Sequence, residues 1–524
     1  MTSLPPKSTL PRKPRQRADA SAGSRSRPDR NTRLILALIV LASVLLSTLM
    51  MTRDHSWGDD FAGYIMQARS LAQGNMQEYV TRNTFTMESS SHVFGPVTEP
   101  WGFPLLLSPV YALLGLRVQA LKAVVVLCYA AFLVAFFLLA RTRLKDRESL
   151  LLTAVLAFNV GMLQGTNEVL SDIPFALWST LSLWLMLTLP GPEAGSKTAL
   201  RHAVLLGLAL FAAVFTRIAG FLLFIPLIAA QVMHLRKGGR SGMRAAETAG
   251  LTAAPYLVAG ALYALQAFIF PGVAHVDPLG PVTIQSVLQN LIGYFWAPAY
   301  FLRNIVGGSS ALYLVLLPFF VFSFIRHWQR DLPVHLYILA SLAVFIFRAG
   351  MPEPRYLYPL WPLFMLFAFD GMQLAAARLP PLRQPRALTL AWDALLVLAL
   401  ISLAACAQLA WINMKAGRYD YRESRGVFHP TTNLMFEFIR EQTPSDSVII
   451  FFKPRAMRLR TDRDAFFTTK CGDLPEGDYV VIEKSMGAYD QIRREDVTHC
   501  NPAVVLTPVY EKDQFVVYQV TNLR

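Results

Sequence analysis

The chain has 524 residues, of which 54% are hydrophobic and 16% charged, and its formal net charge is +14. Soluble globular proteins carry about 25% charged residues, so an ordinary soluble enzyme is excluded in favour of apolar runs that each cross a hydrocarbon core of about 30 Å. The basic excess lies between those runs, where it orients a membrane protein, and it is not read as a nucleic-acid footprint.

Residues 1–33 are rich in Pro, Ser and Arg, with Lys7, Arg12, Lys13, Arg15, Arg17, Arg25, Arg27, Arg30 and Arg33 facing only Asp19 and Asp29. This composition predicts a disordered cytoplasmic tail. The run Leu34 to Met51 is too long for a signal-peptide core and no Ala-x-Ala site follows it, so it reads as a retained first span over 34–52. With the N-terminus inside, residues 53–116 form a large outer loop. Further spans are expected at 118–140, 149–165, 170–189, 202–216, 219–235, 249–271, 308–325, 333–347, 356–376 and 388–411. That register of about eleven spans places Arg141 to Arg147, Arg236 to Arg244, Arg326 and Arg330, and Arg378 to Arg386 all on the cytoplasmic side. Residues 103–115 are apolar but short and carry two prolines, which predicts an interfacial or re-entrant helix.

Beyond 412 the patterning changes. Asn433 to Thr443 reads as a helix, and 447–453, 479–484, 503–506 and 515–520 read as strands. Residues 412–524 are therefore expected to be a small α/β domain outside the membrane. Cys471 and Cys500 fall in it, where an oxidising compartment favours a disulfide, whereas Cys128 and Cys406 sit in apolar runs.

Chemistry concentrates at the outer span ends. Asp59 and Asp60 open a helical stretch from 61 to 73 that carries Tyr64 and Arg69. A carboxylate at a low-dielectric boundary can serve as a general base, and an acidic turn can equally cap the helix. Asp172 lies at the start of the 170–189 run, as a functional ionisable group or an N-terminal cap. Arg217, Arg348 and Arg355 run against the positive-inside bias, which suits a phosphate partner or lipid headgroups. Nothing equivalent is expected on the cytoplasmic side. His92 and His275 are lone histidines, so no metal cluster is evident, and a divalent ion stays an option.

Asp60-x-x-x-Tyr64 with Arg69, followed by Glu99-Pro100-Trp101-Gly102-Phe103-Pro104, resembles the first outer loop of GT-C fold glycosyltransferases. Ser171-Asp172-Ile173-Pro174-Phe175, Thr216-Arg217 with Gly220, and Arg355-Tyr356 with Pro359 are similar to that group's markers at later span ends. The lipid A aminoarabinose transferases and the protein O-mannosyltransferases share the pattern, and the resemblance covers about 34–411. It implies inverting transfer of a sugar from a polyprenyl-phosphate donor to a glycan, lipid or protein acceptor at the outer face of a bacterial cytoplasmic membrane. By the same resemblance Asp60, or Asp59 one register step away, is the general base. Asp172 orients acceptor or base, and Arg217 and Arg355, with Tyr356, meet the phosphate. Glu99 stands where the aminoarabinose transferases carry a lysine, a departure that puts their phosphate contact and their donor in doubt here. A lipid-linked glycan flippase would need polar residues through several spans, and a pyrophosphate-donor polymerase or ligase is the other alternative.

Overall fold

The computed structural model describes residues 27–92, 94–191, 195–236, 245–272, 282–302, 309–348, 350, 352–380, 384–418, 426–485 and 490–523. Most of the basic tail, Lys237, Arg240, Arg244, His275 and Arg383 lie outside them.

The first apolar run forms α1 (Arg30–Met50), whose N-terminus is capped by the Asp29 carboxylate accepting from Thr32 N–H. The loop that follows is mostly helical: α2 (Asp60–Gln73), α3 (Met76–Glu88) and α4 (Gly102–Leu114). Gly74 ends α2 in the left-handed conformation at φ 74°, which a side chain would resist. Then come α5 (Val118–Ala140), α6 (Asp146–Ala157), α7 (Val160–Gly165), α8 (Asp172–Leu187), α9 (Ser196–Thr216), α10 (Phe224–Arg236) and α11 (Ala245–Ile269). The remainder of the helical body is α12 (Ile284–Trp296), α13 (Ser309–Arg326), α14 (Leu332–Ile346), α15 (Trp361–Ala377) and α16 (Gln384–Lys415).

Among the described residues, seven helical segments are long and apolar enough to cross a membrane, and 102–114, 172–187, 332–346 and 361–377 are apolar but shorter. The span expected at 149–165 is broken: α6 stops at Ala157 and α7 restarts when the Asn159 side chain accepts from Met162 N–H. That interruption projects the turn after α7, which carries Asn167 and Glu168, towards the first loop. The segment 103–115 is a single helix despite Pro109. Packing joins α5 to α8 and α1, α9 to α11, and α13 to α15.

The C-terminal residues form α17 (Pro430–Gln442), β1 (Val448–Ile450), α18 (Pro454–Thr461), β2 (Asp464–Phe466), β3 (Tyr479–Glu483), α19 (Arg494–Val497), β4 (Val504–Lys512) and β5 (Phe515–Asn522). The sheet order is β2-β1-β3-β5-β4, parallel from β2 to β3 and antiparallel beyond. Strand alternation sends its two faces to different cores. Ile449, Val481 and Val517 join the core that continues into the helical body. Ile450, Val480, Val516 and Tyr518 join a smaller core closed by the Cys471–Cys500 disulfide. The sheet is thus packed directly onto the first loop, chiefly through α18 on α2 and α3.

Candidate active site

The turn before α2 and the breaks between apolar helices supply the charged residues. Asp60 is the first residue of α2, and Tyr64 and Gln67 follow on the same face at i+4 and i+7. Arg217 is the extended residue (φ −151°, ψ 140°) between α9 and the 3-10 turn Ile218–Leu223. Gly220 makes that break possible, because a Cβ there would overlap the Ala213–Val214 backbone. Gly102 plays the same part at the start of α4, lying flat on the Phe215 carbonyl two residues before Arg217. Arg355 and Tyr356 belong to the 3-10 turn Pro354–Leu357.

These pieces meet. The Arg355 Nη1 lies 2.8 Å from an Asp60 carboxylate oxygen, and its Nε contacts Glu353. Arg217 Nη1 lies 2.5 Å from Asp172 Oδ1 and 3.4 Å from Ser171 Oγ, which in turn is 2.7 Å from the Tyr64 hydroxyl. The guanidinium carbons of Arg217, Arg348 and Arg355 lie 5.4, 4.8 and 5.3 Å from the centre of the Tyr356 ring. Three like charges gathered at one ring are held by its face and by the facing carboxylates, and they leave a field suited to an anion. The buried second oxygen of Asp172 has no hydrogen-bond partner among the described residues.

Burial alone would raise the Asp60 carboxyl, but Arg355, Arg455 and Arg217 outweigh it and hold it below the ordinary 3.8. Burial dominates at Asp59 and raises it, against the opposing charges of Lys453 and Arg455. Burial and the neighbouring Asp60 charge push Glu99 up to about 7. Burial likewise lifts the Tyr64 hydroxyl well above its usual range.

A cavity of about 610 Å³ opens on this cluster, lined by Asp60, Asp172, Arg355, Tyr358, Glu168 and Lys453 among others. Beside it runs an apolar groove of about 250 Å³ with Leu291, Phe295, Tyr313, Phe320 and Trp361. One short segment separates the two. Its Glu353, Arg355 and Tyr358 face the polar cavity, and its Leu357 and Leu360 line the groove.

Some sequence expectations move. Asp59 does not cap α2; its side chain makes no capping bond there. It accepts instead from Arg455 N–H of α18 at 3.1 Å, with Lys453 Nζ 3.9 Å away, and is buried. Arg69 turns away from the cluster and pairs with Asp462 at 3.0 Å, as does Arg82 at 3.2 Å. His92 stacks edge-on against Phe467. The end of the helical body away from the cavity, where nothing in the sequence pointed to charged chemistry, does hold an ion-pair cluster: Arg143 with Asp331 at 2.6 Å, and Asp370 with His327 at 2.9 Å and Ser323 at 2.5 Å.

Other residues went unnoticed in the sequence. Lys453 and Arg455 arrive from nearly four hundred positions away, and no local pattern announces them. Arg455 is buried, reaching Asn83 and the Pro96 carbonyl. Lys122, fully buried in α5, donates to the Thr52 and Asp54 carbonyls, the Thr52 hydroxyl and Asn167. A lone lysine in an apolar run was a usable signal. His55 lies 2.9 Å from Glu168 on the same cavity wall. Among the described residues no three His, Cys, Asp or Glu side chains come together to hold a metal.

No protein-family model matches the sequence, and no curated protein matches it. Solved structures do. ArnT from Cupriavidus metallidurans bound to undecaprenyl phosphate aligns with 92% of this chain and 97% of its own at TM-score 0.57 and 13% identity. The oligosaccharyltransferase AglB from Archaeoglobus fulgidus, in complex with an inhibitory peptide and a dolichol-phosphate, aligns with 87% of this chain and 70% of its own at TM-score 0.58 and 13% identity. The chain thus has the polytopic membrane GT-C fold, as the residue markers implied.

Proposed function

We propose that this protein transfers a sugar from a polyprenyl-phosphate-linked donor to an envelope glycan, lipid or protein acceptor, with inversion, at the outer face of the cytoplasmic membrane. The observation that carries the reading is the gathering of Arg217, Arg348 and Arg355 at Tyr356, opposite Asp60 and Asp172, with Arg355 in the short segment between a polar cavity and an apolar groove. The cavity takes the sugar and the acceptor. The arginines take the phosphate, where charge accumulates as the leaving group departs. The groove takes the first isoprene units. Both similar structures were solved with a polyprenyl phosphate bound, undecaprenyl phosphate in ArnT and dolichol-phosphate in AglB, which supports the same donor class here.

On this reading the ion pairs seen without substrate are placeholders. Donor phosphate replaces Asp60 on Arg355 and Asp172 on Arg217, so both carboxylates turn to the sugar and the acceptor only once the donor is seated. Residues 412–524 lie outside the membrane and close the cavity through Lys453.

Membranes carrying the full chain, incubated with a panel of radiolabelled polyprenyl-phosphate sugars, should move label into an envelope fraction. Arg355→Ala should lower that transfer by about 10²–10³-fold. Consumption of a pyrophosphate-linked oligosaccharide donor in place of a monophosphate-linked sugar, or donor flipping without covalent transfer, would refute the proposal.

A further inference from the structure

The turn between α7 and α8 brings a further acid, Glu168, to the wall of the large cavity, with Asn167 before it and Asp172 after it on the same lining. The turn is pinned from three sides. The Asn167 side-chain oxygen accepts from Thr52 N–H at 2.9 Å and from the buried Lys122 ammonium at 3.0 Å. Glu168 Oε2 lies 2.9 Å from His55 Nε2 and accepts from the Ser56 hydroxyl at 3.1 Å. Gly165 lies so close to Tyr358 that a Cβ would overlap its ring and hydroxyl, and that hydroxyl donates to the Gly161 carbonyl at 2.9 Å.

These bonds occupy only one oxygen of the Glu168 carboxylate. Among the described residues Oε1 has no donor, and the side chain keeps 28% exposure, on the cavity side. Asp172, four residues on, presents a second such oxygen: Oδ1 is taken by Arg217, and Oδ2 is buried without a partner among the described residues. Acceptor oxygens held out of water cost free energy until a donor reaches them. Burial opposes the Glu168 charge, but the His55 ring and then Lys122 outweigh it and hold the carboxyl below its ordinary 4.5. Glu168 is therefore an ionised, acceptor-only group whose charge is already balanced. What completes it is a neutral O–H donor. The adjoining Gln164, Asn167 and Tyr300 are uncharged hydrogen-bonding side chains on the same lining, a setting that suits hydroxyl groups.

This wall is tied to both phosphate-binding arginines. Tyr358, packed on Gly165, stands three residues after Arg355, and Asp172 is the partner of Arg217. The sugar to be transferred is bonded directly to the phosphate, so its ring is the part of the substrates that lies against the wall. We propose that Glu168 is a specificity-determining residue whose Oε1 accepts a hydrogen bond from one ring hydroxyl of the transferred sugar; this rests on the donor reading above. The side chain takes no part in bond making or breaking. His55, Ser56 and Lys122 are positioning residues that keep its other oxygen and its turn in place, so the free oxygen meets the ring without rearrangement. A sugar lacking that hydroxyl leaves a desolvated carboxylate oxygen unpaired and is rejected for that reason.

The test uses the full-length protein in nanodiscs, the polyprenyl-phosphate sugar found active in the panel, and its analogues in which each ring hydroxyl in turn is replaced by hydrogen. Wild type should lose about 10–10²-fold in kcat/KM on one analogue, the scale of a hydrogen bond to a charged group. In Glu168→Ala the parent donor should fall by a similar factor and the penalty on that analogue should vanish, because the two changes remove one interaction. Glu168→Gln, which keeps the shape and one acceptor oxygen, should retain part of the discrimination. Binding of undecaprenyl phosphate without a sugar should be unchanged in both variants, which reports an intact arginine site; if Glu168→Ala loses it, Glu168→Gln carries the comparison. A loss spread equally over the parent donor and every analogue marks a purely structural role and overturns the assignment. So does a raised acceptor KM with the donor penalty intact, which moves Glu168 to the acceptor. Wild type that uses no polyprenyl-phosphate sugar refutes the donor reading itself, whereas wild type active on the panel but indifferent to every ring hydroxyl refutes only the role of Glu168.

Discussion

An arginine paired with an aspartate and laid over an aromatic ring occurs near both ends of α5, a helix of 23 residues that runs roughly 34 Å at 1.5 Å per residue. At one end Arg355 meets Asp60 at 2.8 Å and lies over Tyr356. At the other Arg143 meets Asp331 at 2.6 Å and lies 4.0 Å from the centre of Phe367. The chemistry is nearly the same, but the access is not. The first pair keeps 27% and 31% side-chain exposure and lines the large cavity. The second keeps 3% and 6%. A closed pair cannot exchange its partner and serves as a pin between the α5–α6 and α13–α14 turns. An open pair can release its carboxylate to an incoming anion. Charge pairing alone therefore does not mark a site; pairing beside usable volume does.

The sharpest break in this comparison comes from removing each arginine. Arg355→Ala should cost about 10²–10³ in transfer rate, the scale of one lost electrostatic stabiliser in a transition state, in protein that still unfolds near the wild-type temperature, because Asp60 keeps 31% side-chain exposure. Arg143→Ala should do the reverse, destabilising by up to about 3–5 kcal/mol because buried Asp331 is left with only the half-exposed Arg330, at 3.1 Å, to face it. Thermal unfolding in detergent and kcat separate the outcomes. An Arg143→Ala protein of normal stability and low rate would end the distinction.

Next in size is the interlock between the first loop and α18. Arg455→Ala strips partners from Asn83 and the Pro96 carbonyl, and at about 1.5–3 kcal/mol for a charge-assisted hydrogen bond it should lower the unfolding temperature measurably. Reducing the Cys471–Cys500 bridge should cost about 2–4 kcal/mol, confined to the smaller core it closes, and leave the transfer rate unchanged. Proteolysis of the C-terminal sheet reports the first effect and the label assay the second.

The smallest effects are titrations. Asp60 is held below 3.8, so its pairing stabilises the fold above that pH and is lost as pH falls through the depressed value. Asp60→Asn should flatten the acid end of the stability curve. Glu99 is raised from 4.5 to about 7, so wild type loses stability relative to Glu99→Gln as pH climbs across that interval. A difference between the two that stays constant with pH would show that Glu99 titrates normally.

Much of the machinery could be read in order along the chain. Asp60, Asp172, Arg217 and Arg355 stand out because each is an ionisable group at the edge of an apolar run, and hydrophobicity is a local property. Broken helices were harder. The expected span 149–165 ignores Asn159, a polar residue whose capping bond with Met162 splits α6 from α7. The strands of the tail were visible by alternation, but α18 and β2 were not, being short elements with buried arginines where a core pattern expects apolar residues.

Composition and patterning by themselves determined that this chain lives in a membrane and keeps its acids and arginines near helix ends, since the cost of burying charge in hydrocarbon acts on each segment separately. Only the tertiary structure decided which of those charges are spoken for. Arg455 N–H claims Asp59 from across the chain, Arg355 claims Asp60, and Gln67 sets Glu99 beside them without a partner. Partnering depends on distances between remote segments, and those exist only once the helices and the sheet have packed.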